Sequence, residues 1–313
     1  LHHHSATATV FNSVTYSRLW WRHWGTAGTL QLWLVWDEDE LVGVAPLYET
    51  ADELGMPVLR FVGGVEVSDY LDVVTEPERE AEVVAALLEG WAGAPCRCPI
   101  DLRAIPHASP AREAFLRLAP AAGFSVVEEQ EEVCPVITLP ATWEAYLEGL
   151  ESKQRRELRR KMRRAGKEAL VTWYHVASHL VEEEMEHFFR LHALSDPRKA
   201  RFMTPEMRAF FLDLALAFNA RGWLDLSFLL VDGRRAATSL NFLFRNEVWL
   251  YNSGFDPAVG SLLSPGWLLL SYGIEEAIAE GRTRYDFLQG DEEYKYHFGG
   301  ESEPVYQIRL ERY

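Results

Sequence analysis

The chain has 313 residues, 48% of them hydrophobic and 25% charged, with 11 Trp, 16 Phe and 12 Tyr. That composition excludes a disordered chain, and the length suits about two domains. A formal net charge of −16 excludes a general nucleic-acid-binding surface, which needs clustered Lys and Arg.

Further exclusions follow from local patterns. No apolar run reaches the ~18 residues of a membrane span. The first residues lack the charged-then-apolar layout of a signal peptide, and His2, His3 and His4 look like a tag remnant. Cys96, Cys98 and Cys134 are too few for a disulfide framework, and Cys96-x-Cys98 alone lacks the ligands of a zinc site. A cytoplasmic protein without a metal is expected.

In chain order, residues 13–24 form a predicted helix that Ser13 can cap, with Trp20, Trp21 and Trp24 crowding it. Two strands, 30–36 and 41–48, flank the turn "DEDE", and a third is predicted at 58–64. A helix over 78–93, a strand over 99–105, a helix over 110–123 and a strand over 124–130 complete the first half. Residues 141–221 read as helical. Strands then follow at 223–231 and 235–244, joined by the hairpin signal Asp232-Gly233, and a third at 247–254. The remainder is a helix over 264–281, a strand over 284–288, a helical turn at 292–298 and a strand over 304–310.

Hairpin, strand, helix, strand, helix, strand thus occurs twice. The pattern repeats, while few residues do. Two domains are expected, 1–140 and 141–313, of mixed α/β class, each with a mostly antiparallel twisted sheet flanked by helices.

Three stretches carry chemistry. "ESKQRRELRRKMRR" (151–164) holds eight bases against Glu151 and Glu157, with Leu150, Leu158 and Met162 in one narrow stripe. It is either a solvated helix balancing nearby acids or an anion site, with Arg155 and Arg159 as candidate contacts. "SPGWLLL" opens a helix, where Ser264 can cap, Pro265 fits the first position and Gly266 bares the backbone. Unpaired N–H groups at such a start suit a pyrophosphate. "YDFLQGDEEYKYHFGG" (285–300) places Asp286 on a short strand and Asp291, Tyr294, Lys295 and Tyr296 just beyond it. A polar patch at Ser68, Asp69, Tyr70 and Asp72 is a further candidate for contact with an acceptor.

Together these pieces resemble the GNAT acyltransferase superfamily, in its FemAB-like, CelD-like branch. The "YDFxxGxxxYKxxFGG" pattern is the most specific of them. The match runs from about Trp143 to Gly300, with a looser one in the first half. The resemblance implies tandem GNAT-like domains and transfer of an acyl group to an amine. It implies acetyl-CoA or another acyl-CoA as donor, held at Asn252, Ser253, Gly254, Ser264, Pro265, Gly266 and Trp267. Asp286 or Asp291 would take the amine proton, Tyr294 or Tyr296 would protonate the leaving thiolate, and Lys295 would neutralise an anion on the acceptor. The acceptor would be a small-molecule or cell-envelope amine. The same resemblance admits a Fem-type transferase using aminoacyl-tRNA, and a degenerate binding protein in polysaccharide or cell-envelope biosynthesis.

Overall fold

A strand hairpin, a third strand and a helical crossover recur in each of two units, Leu1–Val133 with Glu303–Tyr313, and Cys134–Ser302. The computed structural model describes residues 1–95 and 98–313, so Cys96 lies outside the described residues. The expected boundary at 140/141 falls earlier, at 133/134, and the last residues group with the first unit instead of the second.

In the first unit, helix α1 (Val14–Trp24) starts at Ser13, whose side chain accepts the Tyr16 N–H at 3.2 Å. Strands β1 (Thr29–Asp37) and β2 (Glu40–Ala51) form the antiparallel hairpin, with Glu38 at φ 51° in its turn. β3 (Pro57–Phe61) pairs antiparallel with β2, and the short β4 (Val74–Thr75) also pairs with β2. Helix α2 (Glu80–Gly93) then crosses over to β5 (Ile100–Pro106), which lies parallel to β3. Helix α3 (Pro110–Leu118) leads to β6, Phe124–Thr138, longer than the expected 124–130. Trp33 of β1 meets Trp91 of α2 edge-on, and Trp91 stacks on Phe115 of α3. These large rings tie both helices to the sheet.

The polar patch of this unit is internal. The Ser68 hydroxyl is 2.9 Å from the Gly63 carbonyl, and Tyr70 is buried. Asp72 accepts the Thr7 hydroxyl at 2.6 Å and the Val73 N–H at 2.8 Å. Burial pushes its carboxyl up to about 6. Asp72 therefore ties the segment before α1 to the unit, while Ser68 reaches the Tyr16 hydroxyl of α1 itself.

The second unit opens with α4 (Trp143–Gly149) and the basic helix α5 (Ser152–Glu168). Leu158 is buried in the core with Leu150, and Met162 packs against it, as the stripe predicts. The region expected to be wholly helical contains a strand, β7 (Val171–His175). Its sequence, Val-Thr-Trp-Tyr-His, is a run of β-branched and aromatic residues. It is too short to show a period and pairs antiparallel with β8. Helices α6 (Val181–Ser195), α7 (Pro197–Phe202) and α8 (Pro205–Asn219) follow.

β8 (Leu224–Val231) and β9 (Arg234–Phe244) form a hairpin whose turn residues Asp232 and Gly233 both have positive φ, 52° and 76°. β10 (Glu247–Phe255) pairs antiparallel with β9. Helix α9 (Pro265–Ala279) crosses over to β11 (Arg284–Asp286), parallel to β10. Helix α10 (Glu293–His297) precedes β12 (Glu301–Arg312). Beyond Ser302, β12 is a strand of the first unit, between β5 and β6.

One cluster ties three elements of the second unit together. His175 of β7 lies 2.6 Å from Asp225 of β8 and 2.9 Å from Glu276 of α9. The Asp225 hydrogen bond, aided by the charge of Glu276, raises the imidazole to about 9. A raised folded value contributes stability below the ordinary value of 6.5, and that stability is lost as pH climbs through about 9. The melting temperature should therefore fall between pH 7 and 10. The fall should be shallower in His175→Gln, as scanning calorimetry across that range can measure.

Candidate active site

The site begins where two strands separate. β11 pairs with β10 only from Glu247 to Trp249, and β11 ends at Asp286. The predicted strand to 288 stops there for a local reason. The buried Asp286 carboxylate accepts the Leu288 N–H at 2.7 Å, and Leu288 takes φ 57°. This Asx-type turn directs the chain away from β10.

Lys295 holds the turn that follows. Its amine donates to the carbonyls of Leu288, Gln289 and Gly290 at 3.0, 2.8 and 2.9 Å, with the Glu292 carboxylate also 2.9 Å away. An ammonium has three N–H donors, and here three successive carbonyls surround it. Gly290, at φ 119°, takes a backbone conformation that residues with a side chain rarely adopt, and a Cβ there would also push the Glu292 carboxylate aside. Lys295 is thus buried in its own loop, where the expectation made it the neutraliser of an acceptor anion.

β10 meanwhile continues to Phe255 with one edge open. The register on β9 shifts between Leu250 and Asn252, a bulge at Tyr251, whose ring stacks on Phe242 and Phe211. The Asp256 N–H donates to the Ala236 carbonyl, which fixes the alternation. Gly254 and Asn252 point their backbone groups toward β9, while Ser253 and Phe255 point theirs to the open edge. Lys199 of α7 confirms the direction by donating to the Ser253 carbonyl at 2.6 Å. Burial holds the Lys199 amine below its usual value, opposed by the charge of Glu292. Of Asn252, Ser253 and Gly254, geometry leaves the Ser253 N–H facing the gap.

Asn252 and Gly254 have other duties. The Asn252 side chain accepts from His192 Nε2 of α6 at 2.9 Å. Burial pushes the His192 imidazole down to about 4, so it is neutral at ordinary pH. A Cβ on Gly254 would lie 2.4 Å from the His192 backbone nitrogen. That glycine admits the backbone of α6 against the strand.

A cavity of about 420 Å³ lies along this open edge and the start of α9. Ser253, Phe255, Pro265, Gly266, Trp267 and Tyr294 are among its lining. Ser264 does not cap α9 as expected. It sits in the left-handed region at φ 55°, and its hydroxyl accepts the amine of Lys161 at 2.6 Å instead. The first N–H groups of the helix are therefore left to the cavity. A Cβ on Gly266 would meet only the Phe255 ring, at 3.7 Å, so the protein itself leaves the space above that backbone empty. Lys161 also lies over the Trp267 ring, 4.8 Å from its centroid. Burial lowers the amine below its usual value while Glu157 opposes the shift.

The basic helix thus brings Lys161 against Ser264 and Trp267, two residues of the lining, without Lys161 itself joining that lining. Arg155 reaches back to the Glu148 carbonyl, Arg159 is exposed, and neither is among the lining residues. Periodicity could have singled out Lys161, which lies three residues after the buried Leu158. No sequence signal pointed to Lys199 or His192. The patch at Asp69 and Tyr70 belongs to the first unit and contributes nothing to this lining.

The two tyrosines separate. The Tyr296 hydroxyl donates to Asp291 and lies 2.9 Å from the Ser302 hydroxyl, on the surface. Tyr294 lines the cavity, and its hydroxyl has no hydrogen-bond partner among the described residues. Burial raises its pKa strongly, so the phenol stays protonated. Asp291 is exposed and Asp286 buried. Among the described residues no group of His, Cys, Asp and Glu is placed to hold a metal, and no helix is long and apolar enough to cross a membrane.

Comparison with known proteins agrees with this geometry. Residues 152–296 match the family described as the acetyltransferase (GNAT) domain. Among solved structures, FemX superposes with a TM-score of 0.67 at 12% identity, covering 98% of this chain and 93% of its own. A conserved protein of unknown function from Bacteroides thetaiotaomicron gives 0.62 at 12% identity, covering 95% and 90%. L-PGS from Bacillus licheniformis gives 0.54 at 10%, covering 96% and 92%. No curated protein matches the sequence. Residues 152–296 therefore resemble a GNAT domain, and the chain shares its fold with FemX over nearly its full length.

Lys295→Met should destabilise the protein by about 3 kcal/mol, because three carbonyls and a carboxylate lose a charged donor. Asp291→Asn, on the exposed side of the same loop, should cost under about 1 kcal/mol. Urea unfolding of both variants compares them directly.

Proposed function

We propose that the second unit transfers an acyl group, most simply acetyl, from acyl-CoA to an amine. The single observation that carries this reading is the cavity itself. It joins unpaired N–H groups at a helix start, a strand edge with an outward N–H, and a half-buried phenol without a hydrogen-bond partner among the described residues. A coenzyme A thioester presents a pyrophosphate, an extended amide-bearing arm and a reactive carbonyl, which these features suit in turn.

The N–H groups around Gly266 and Trp267, with the amine of Lys161, would hold the pyrophosphate. The empty space over Gly266 allows close approach to the backbone. The open edge of β10 would pair with the amides of the arm. The thioester supplies an activated acyl carbon that an uncharged amine can attack.

The remaining chemistry belongs to this chain. The Ser253 N–H faces the gap between the strands and stabilises negative charge developing on the carbonyl oxygen. Lys199, fixed on the Ser253 carbonyl, holds the next peptide unit and so steadies the backbone at Ser253. Tyr294, kept protonated by burial, gives its proton to the departing sulfur. Asp286 and Lys295 are positioning residues, since they shape the turn that opens the gap. Asp291, on the exposed rim, accepts the proton of the incoming ammonium through water.

The basic helix supports a second reading, an aminoacyl-tRNA donor. Lys153, Arg156 and Arg159 of α5 are exposed, and a polyanion could lie along them. A gel shift with charged tRNA that weakens steeply with salt would favour it over coenzyme A.

Saturating CoA should stabilise the protein, by about 2.7 kcal/mol at a hundredfold excess over its dissociation constant. Gly266→Asp should abolish that shift while leaving the unliganded melting temperature within a few degrees. Tyr294→Phe should keep the shift yet lower kcat on the order of 100-fold. The absence of any shift at millimolar CoA in the wild-type protein would sink the acyl-CoA reading.

A further inference from the structure

A second surface lies in the first unit, on the face of β1 turned away from α2. Leu30, Leu32, Leu34 and Trp36 alternate along it, and they are 46, 51, 44 and 56% exposed. The intervening residues point the other way, where Trp33 packs on α2. Cross-strand partners extend the apolar face, with Leu32 opposite Pro46, Leu34 opposite Val44 and Trp36 opposite Leu41. Helix α1 bounds it with Val14, 69% exposed, and Trp21, leaving a groove of about 860 Å³.

Exposed apolar residues scattered singly are normal, but a contiguous strip of this kind marks an interaction surface. β1 is also an outer strand of its sheet. It carries no Lys, Pro or charge from Thr29 to Trp36. Unguarded strands of this type are covered by a partner or lead to aggregation.

We infer that this face is the interface of a two-fold homodimer, with the β1–β2 faces of two copies packed against each other. Charge complementarity selects a second copy as the occupant. The hairpin tip carries Glu38, Asp39 and Glu40, none with a side-chain partner among the described residues. Arg18 lines the groove wall and has no partner there either, and Arg22 stands beside it. One short connection links Arg22 to Thr29, so both arginines stand at the end of β1 remote from the acidic tip. A two-fold axis across the groove reverses the strand direction. Each tip then lies against the other copy's arginines, while the leucine rows interleave between them.

The area is adequate. β1 spans about 30 Å, and with β2 and the flank of α1 it offers a strip of roughly 600 Å², close to the ~800 Å² per partner of a stable complex. An anionic lipid surface fits less well, because the acidic tip would be repelled.

Sedimentation velocity and light scattering at tens of micromolar test the proposal. The expected mass is twice the 35.8 kDa of the chain. Leu32→Lys, at a half-exposed position, should return the protein to a monomer with an unchanged circular dichroism spectrum. Arg18→Glu should weaken association at low salt, and adding Asp39→Lys to it should restore the dimer. That charge-reversal pair carries the test if Leu32→Lys fails to fold. A wild-type monomer at this concentration, or a dimer indifferent to all these changes, overturns the inference. So does a monomer that floats with anionic vesicles, which would assign the face to lipid.

Discussion

The amine of Lys295, donating to three consecutive carbonyls, is the interaction on which the candidate site depends. Backbone carbonyls that converge on one point repel each other, and only a buried cation lets them do so. With Lys295 in place, residues 288–290 curl back over α10 and cannot extend β11. The Asp286 carboxylate reinforces the turn from the other side by taking the Leu288 N–H. β10 is therefore left with an unpaired edge from Leu250 onward. The residues that look most catalytic in sequence, an Asp and a Lys on either side of a Gly turn, create the gap without entering it.

Two other elements complete the cavity by the same economy. The left-handed backbone at Ser264 gives up its capping role and turns its hydroxyl to Lys161. One residue thereby exposes the helix N–H groups and places a cation beside them. The bulge at Tyr251 shifts the alternation of β10 by one residue, so that Ser253 faces outward. Its cost is met by stacking between Phe242 and Phe211. Anion binding, carbonyl polarisation and proton donation thus come from three separate local irregularities, all within the second unit.

Much of this architecture was legible in the sequence. Asp232-Gly233 marked one hairpin, and Ser13 and the leucine stripe of α5 placed two helices. The repeat of hairpin, strand and crossover recurs in the structure as two parallel pairs, β3 with β5 and β10 with β11. What escaped depends on tertiary context. β7 is too short to show a period beside long helices. Lys161 is one base among eight until the helix docks by its leucine edge. Lys199 and His192 lie far from the motifs in sequence and reach β10 only through packing. The choice between Tyr294 and Tyr296 is a matter of which face of a five-residue helix meets the cavity, and spacing alone does not decide it.

The placement of β12 has a consequence for how the chain acquires its structure. Its residues after Ser302 occupy the position between β5 and β6 in the first unit. That sheet therefore waits for a strand made almost 170 residues after the rest of it. During synthesis the first unit has a vacancy at its centre with two strand edges bare, while the second unit is still emerging. The order of synthesis and the order of completion are reversed, and the unit made first is the one finished last.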